Sequence, residues 1–265
     1  MEMIRFERHK NVGWLTLSRP EKLNAQNREM WNELRQLGHD LEGDSELRCL
    51  VVIGEGRAFS AGLDQTLLVG GGIADGVPAP TDNGAAPMVK PEQLPFYWIH
   101  TAPFPSIAAV RGYALGAGFQ LALACDLRIF AEGTKVGLLE FKYGLLPDMG
   151  ATEWLTRLVG PAVAKELIFT AAQIDAAEAK QLGIANRVVS DGDLESSAEA
   201  LAQTLAAQPP LAIAGAKRAV QAAYEPDGRA VELALLGQME CLRSEDFREA
   251  GKAFVEKRAP VYKGR

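Results

Sequence analysis

Two acidic residues stand eight positions apart in an apolar setting: Glu140 and Asp148, within Gly137-Leu-Leu-Glu-Phe-Lys-Tyr-Gly-Leu-Leu-Pro-Asp148-Met-Gly150. Carboxylates held among apolar side chains are poorly hydrated, so their pKa values rise and they can take and return protons near neutral pH. An acid taken alone serves as readily as a solvated or capping residue, and Asp148 is placed to cap a helix starting near Ala151. A second stretch, Arg57-Ala-Phe-Ser-Ala-Gly-Leu-Asp64, follows an apolar run. Its small residues Ser60, Ala61 and Gly62 let backbone come close to a ligand, as a carbonyl- or phosphate-binding turn requires. An ordinary strand-to-helix turn has the same composition.

The third stretch is Arg111-Gly-Tyr-Ala-Leu-Gly-Ala-Gly-Phe-Gln120. It sits between a buried apolar run and an Ala-rich segment of helical character. The first N–H groups of a helix lack intrahelical partners and carry the positive end of its dipole, so Gly116, Ala117 and Gly118 could present donors to an oxyanion. Close helix–strand packing explains the same glycines. The spacing does not fit the G-x-G-x-x-G dinucleotide fingerprint, and no suitably placed acid follows.

These residues need a framework, and the chain can supply one. It has 265 residues, 48% hydrophobic and 23% charged, which allows a substantial core and excludes a disordered or collagen-like chain. A formal charge of -6 gives no global attraction for nucleic acid or anionic membrane, so an anionic ligand needs a local cluster of cations. Cys49, Cys125 and Cys241 are far apart, as are His9, His39 and His100. That spacing offers no local metal motif and fits reduced, buried thiols in a cytoplasmic protein. No segment has the roughly 18 uninterrupted apolar residues of a membrane span.

Strands are expected at Ile4 and Phe6, Val12–Leu17, Cys49–Ile53, Ser106–Val110 and Leu127–Ala131, the last three as apolar runs buried on both faces. Met30, Trp31, Leu34, Leu37 and Leu41 recur at helical spacing, with Asn24 or Asn27 as the cap. From about 66 to 105, three consecutive glycines and several prolines suggest a long excursion, read as a lid. Within it Phe96, Tyr97 and Trp98, and beyond it Tyr143, are core candidates that could instead line an apolar ligand tunnel. After Val189 the pattern becomes helical. The chain thus divides into an α/β core, 1–190, and a helical region, 191–265, packed on that core or on a neighbouring subunit.

The order and spacing of the stretches resemble the crotonase (enoyl-CoA hydratase/isomerase) superfamily over nearly the whole chain. The resemblance is carried by Arg19-Pro-Glu-Lys-Leu-Asn-Ala25, AFSAGLD (58–64), SIAAVRGYALGAGFQLALACDLRI (106–129) and LEFKYGLLPDMG (139–150). It continues through IDAAEAKQLGIANRVV (174–189) to Phe254-Val-Glu-Lys-Arg258. It implies an α/β fold, a spiral of ββα units followed by a helical trimerisation region, assembling as a trimer or a dimer of trimers. It also implies an acyl-CoA thioester substrate and no separate cofactor, coenzyme A being part of the substrate. The thioester oxygen would lie between the N–H groups of Leu63 and Ala117, with Gly118 adjacent. Coenzyme A would run along Ser60, Ala61, Gly62 and Asp64, with Lys22, Phe254 and Lys257 near its nucleotide end.

The departure from the pattern is at Gln120. Hydratases of this family pair a glutamate there with one at the position of Glu140, whereas an amide has no titratable proton. Asp148 matches the extra carboxylate of members that shift double bonds in dienoyl-CoA chains, although those also keep an acid at position 120. The expected activity is therefore double-bond isomerisation by Glu140 and Asp148, with 2-enoyl-CoA hydration as the alternative. A non-catalytic acyl-CoA binding protein is the reading from another class.

Overall fold

The computed structural model describes residues 2–68, 94–224 and 229–265. Ile4–His9 (β1) and Val12–Leu17 (β2) form an antiparallel hairpin, Ile4 opposite Leu17 and His9 opposite Val12. Parallel strands Cys49–Gly54 (β3) and Ser106–Val110 (β4) extend it. A second, small sheet joins Tyr113–Leu115 (β5), Lys135–Gly137 (β7) and Ile174–Asp175 (β8). Leu127–Ala131 (β6) and Arg187–Val189 (β9) complete the first sheet, whose order is β1-β2-β3-β4-β6-β9. The pairs β4–β5 and β6–β7 each put one strand in either sheet ahead of a helix, which is the expected ββα repeat.

Period-two alternation explains the continuous apolar runs. Leu50, Val52, Ala108, Val110 and Phe130 enter the main core, while Cys49, Val51, Ile53, Ile107, Ala109, Ile129 and Ala131 face the other side. Both faces are covered, so neither needs polar positions. The main core is closed by Arg28–Asp40 (α1), Tyr97–Thr101 (α3), Ala117–Ala124 (α4) and Ala151–Thr170 (α5). The short Gln65–Leu68 (α2) precedes α3 in the chain. Leu194, Ala198 and Ala202 of Leu194–Ala206 (α7) seal the opposite face. Ala176–Gln181 (α6) lies between β8 and β9.

Asn27, not Asn24, caps α1, its side chain accepting from the Met30 N–H. Asn24 is left-handed (φ 55°) and ties loops together: Nδ2 donates to the carbonyls of Glu55 and Ala58, and Oδ1 accepts from the Arg19 N–H. Asp148 does not cap α5, whose N-cap position is held by Gly150 with no side-chain hydrogen bond. Of the excursion read over about 66–105, residues 69–93 lie outside the described residues. Its later part returns to the core, where Phe96, Ile99 and Phe104 are buried and Tyr97 and Trp98 pack against them. Burial holds the Cys49 and Cys125 thiols up at about 12, which keeps them neutral, whereas Cys241 is only half-buried.

Beyond α7 come Pro210–Gln221 (α8), Arg229–Arg243 (α9) and Glu245–Glu256 (α10). Lys217 fastens α8 to the core. Its ammonium donates to the carbonyls of Ile99 and Phe104, both at 3.1 Å, and to Asp126 Oδ2 at 2.8 Å. Among the described residues, no helix is long and apolar enough to cross a membrane.

Candidate active site

A cavity of about 650 Å³ opens between the 57–66 turn, the start of α4 and the 139–149 segment. Lys22 and Arg57 line it with the backbone of 61–64, Glu140 and Asp148 with Gln120, and Trp31, Leu139, Leu145, Leu146 and Met149 as apolar wall. It therefore combines cations, acids and apolar surface in one cleft, as an amphipathic anionic ligand would need.

Two isolated bridges hold the turn against the rest. The Ser60 N–H donates to Tyr113 O and Ser60 O accepts from the Leu115 N–H, which joins the turn to β5. Gln26 N–H donates to Gly62 O at 2.6 Å, and Gln26 O accepts from the Asp64 N–H at 2.8 Å. Because both neighbours of Leu63 bond to Gln26, the N–H of Leu63 itself is turned away from that bridge. Gly62 has φ 94°, and a Cβ there would sit 2.4 Å from Leu115 O and 3.6 Å from the Ala117 N atom. Ala117 is the first residue of α4, where backbone N–H groups have no intrahelical acceptor. The turn and the helix start are thus in contact, and their amide donors can converge on one oxygen.

Gly116 precedes that helix at φ 50°, and a Cβ on it would be 3.5 Å from Glu140 Oε1. Glu140 begins a short 3₁₀ turn, Glu140–Tyr143. Its Oε1 accepts from Gln120 Nε2 at 2.8 Å, while Oε2 is buried and has no partner among the described residues. Gln120, 1% exposed, is locked from its other end by the Met149 N–H, which donates to Oε1 at 2.9 Å. Burial pushes the Glu140 carboxyl above its ordinary range, and the charge of Asp148 pushes the same way. Its own backbone N–H and Gln120 oppose them. Asp148 is exposed along the cleft rim, yet the surrounding protein displaces enough water to raise its carboxyl as well. Two carboxyls poised upward beside converging amide donors can move a proton while an adjacent oxyanion is stabilised.

The other sequence candidates fall into two groups. Ala61, Gly62, Leu63, Asp64, Ala117 and Lys22 line the cleft. Ser60 and Gly118 do not: Ser60 Oγ donates to Asn24 O and accepts from the Gly62 N–H, and Gly118 packs against Ser60. Asp64 is mostly spoken for. Burial pushes its carboxyl up, but donors from Thr66 and the Arg19 guanidinium, 2.9 Å away, outweigh that and hold it low. Phe254, 85% exposed, and Lys257 stand at the end of α10 and do not line the cleft. Tyr143 is 60% exposed and lines the cleft, so it is not a core residue. Arg57 and Trp31 line the cleft without any local sequence signal that marks them for it. Nothing in one sequence separates a buried loop glutamine such as Gln26 from a solvated one. Among the described residues, no group of three or more His, Cys, Asp and Glu side chains could hold a metal ion.

Residues 7–265 match the family model described as enoyl-CoA hydratase/isomerase. A carnitinyl-CoA dehydratase of Citrobacter koseri is 38% identical over 270 residues, covering 100% of this chain and 99% of that one. An enoyl-CoA hydratase structure from Bacillus anthracis superposes with a TM-score of 0.89 at 30% identity, covering 99% and 100% of the two chains. A Thermobifida fusca chain solved in complex with acetoacetyl-CoA has a TM-score of 0.78 at 36% identity, covering 91% and 95%. Matching this family over nearly its whole length in sequence and in fold, the chain belongs to the enoyl-CoA hydratase/isomerase family of acyl-CoA-processing, crotonase-fold enzymes.

Proposed function

We propose that this cleft shifts a carbon–carbon double bond in an acyl-CoA thioester, with Glu140 as the base. The observation that carries this reading is the Gln120–Glu140 hydrogen bond, which leaves one titratable group where a hydratase pair would have two. The thioester oxygen accepts from the N–H groups of Leu63 and Ala117. Glu140 Oε2 takes a proton from the carbon next to the thioester, and the electron pair of that C–H bond delocalises onto the oxygen as a dienolate. Return of the proton two carbons further along moves the double bond and restores the carboxylate. Asp148 relays that proton from Glu140 to the receiving carbon and ends in the protonation state in which it began. Neither atoms nor charge are gained or lost.

Several features support the substrate class. Lys22 and Arg57 offer cations to the phosphates of coenzyme A, and a relative of similar fold is solved with acetoacetyl-CoA. The chain carries no need for a metal or nicotinamide in this scheme, so activity should survive dialysis against a chelator. Phe254 and Lys257 enter the coenzyme A site only through a neighbouring copy in a trimer or hexamer.

A second reading, hydration of a 2-enoyl-CoA, is favoured by the names of the relatives. Incubation with 3-enoyl-, dienoyl- and 2-enoyl-CoA thioesters separates the readings by product mass and NMR. A moved double bond at unchanged mass is the expected result. Gain of one water identifies a hydratase, and intact thioester despite binding identifies a non-catalytic binder.

A further inference from the structure

Gln26 is 0% exposed, and every polar group it has is used around the cleft. Its backbone N–H and carbonyl hold Gly62 and Asp64, the two neighbours of Leu63. Its side chain reaches the other donor: Nε2 donates to Ala117 O at 3.2 Å. The amide is fixed in that orientation by Trp31, whose indole Nε1 donates to Gln26 Oε1 at 2.9 Å. An indole can only donate and a carbonyl can only accept, so turning the amide over would oppose donor to donor and acceptor to acceptor. One buried residue therefore joins the turn carrying Leu63, through its backbone, to the first residue of α4 and an aromatic wall of the cleft, through its side chain.

We infer that Gln26 is a positioning residue, which sets the separation of the Leu63 and Ala117 amide donors and couples it to Trp31 in the substrate wall. The inference rests on the oxyanion role proposed for those donors. Preorganised donors stabilise developing charge only while they stay aimed at it, and a displacement of about 1 Å can lower the rate roughly 10²-fold. Gln26 touches no reacting atom. Its effect passes through the backbone of 62–64 and of 117.

The probe is 4-dimethylaminocinnamoyl-CoA, a thioester whose absorption band moves to longer wavelength when its carbonyl is polarised. The full-length protein and its Gln26→Leu and Gln26→Met variants are saturated with it, and circular dichroism checks their folding. The unaltered protein should shift the band strongly. Both variants should show a clearly smaller shift, with kcat on the best substrate about 10- to 100-fold lower and KM within about threefold. A merely structural role would lower the amount of folded protein without changing the band of the bound probe. If neither glutamine variant folds, Trp31→Phe decides, since it removes only the donor that orients the amide. A reduced shift supports the inference, and a full shift overturns it. No shift in the unaltered protein overturns the oxyanion reading and this inference with it. A full shift in folded Gln26→Leu or Gln26→Met overturns this inference alone.

Discussion

Glu140 has neutral amide donors on one carboxyl oxygen only and none on the buried Oε2, so its ionised form is less well solvated than a free carboxylate. That makes it a stronger base and predicts a pH profile. Activity on the best substrate should rise along one acidic limb centred above the ordinary glutamate value of 4.5. Removing the Asp148 charge in Asp148→Asn should move the limb to lower pH, whereas Gln120→Leu removes a donor to the carboxylate and should move it up. Initial rates over roughly pH 4 to 9, a window that extends well above the ordinary carboxyl range, would read both movements. Glu140→Gln should lower kcat by about 10²–10⁴-fold and leave thioester affinity by calorimetry nearly unchanged. A carboxyl raised in the folded state loses stability as pH rises above its unfolded value, so the same variant should melt no lower than the unaltered protein at pH 8, about four units above that value. Gln120→Glu restores a second acid and should increase hydration of a 2-enoyl-CoA, read as product of one added water.

At the scale of elements, the cleft depends on a turn and a helix start that must touch. A side chain on Gly62 would meet Leu115 O at 2.4 Å and would also be held at φ 94°. Gly62→Ala should therefore cost about 1–3 kcal/mol in denaturant melts and lose activity beyond what the remaining folded fraction explains. The α8 attachment is a separate test of the frame. Lys217 is nearly buried at its ammonium, and Lys217→Met strands Asp126 and the carbonyls of Ile99 and Phe104. Losing one partner of such a pair costs about 3 kcal/mol, toward the low end because Asp126 keeps its bonds from Ser106. A urea midpoint unchanged from the parent protein would contradict that reading.

The whole molecule leaves apolar surface that a single chain does not cover. On α9, Val231, Leu235, Leu236, Met239 and Leu242 are all about half exposed or more, while α9 packs through its other side on α8. Contiguous exposed apolar residues of this kind are characteristic of association surfaces. The protein should run in light scattering at three or six times its chain mass of 28.6 kDa, and a monomer at micromolar concentration would contradict it. Charged substitutions at Leu235 and Met239 together should shift it toward smaller species.

Local chemistry made much of this protein legible in one sequence. The buried runs 49–53, 106–110 and 127–131 became the central strands because a parallel sheet with both faces covered admits apolar residues at every position. The period of α1 and the glycines before α4 were equally readable, as were Glu140 and Asp148, since each signal lies within a few residues. What no local pattern contained were pairings between distant segments. Asn24 and Asp148 looked like caps, but Asn24 bonds across to Glu55 and Ala58, and α5 starts without Asp148. Tyr143 has a core residue's composition and a cleft residue's position. Gln26 carries no local signal at all, because its partners at 62–64 and 117 lie 36 to 91 positions away. Hydrophobic periodicity is written in neighbouring residues, whereas the partners of a buried polar group are chosen by the fold; only the tertiary structure could assign them.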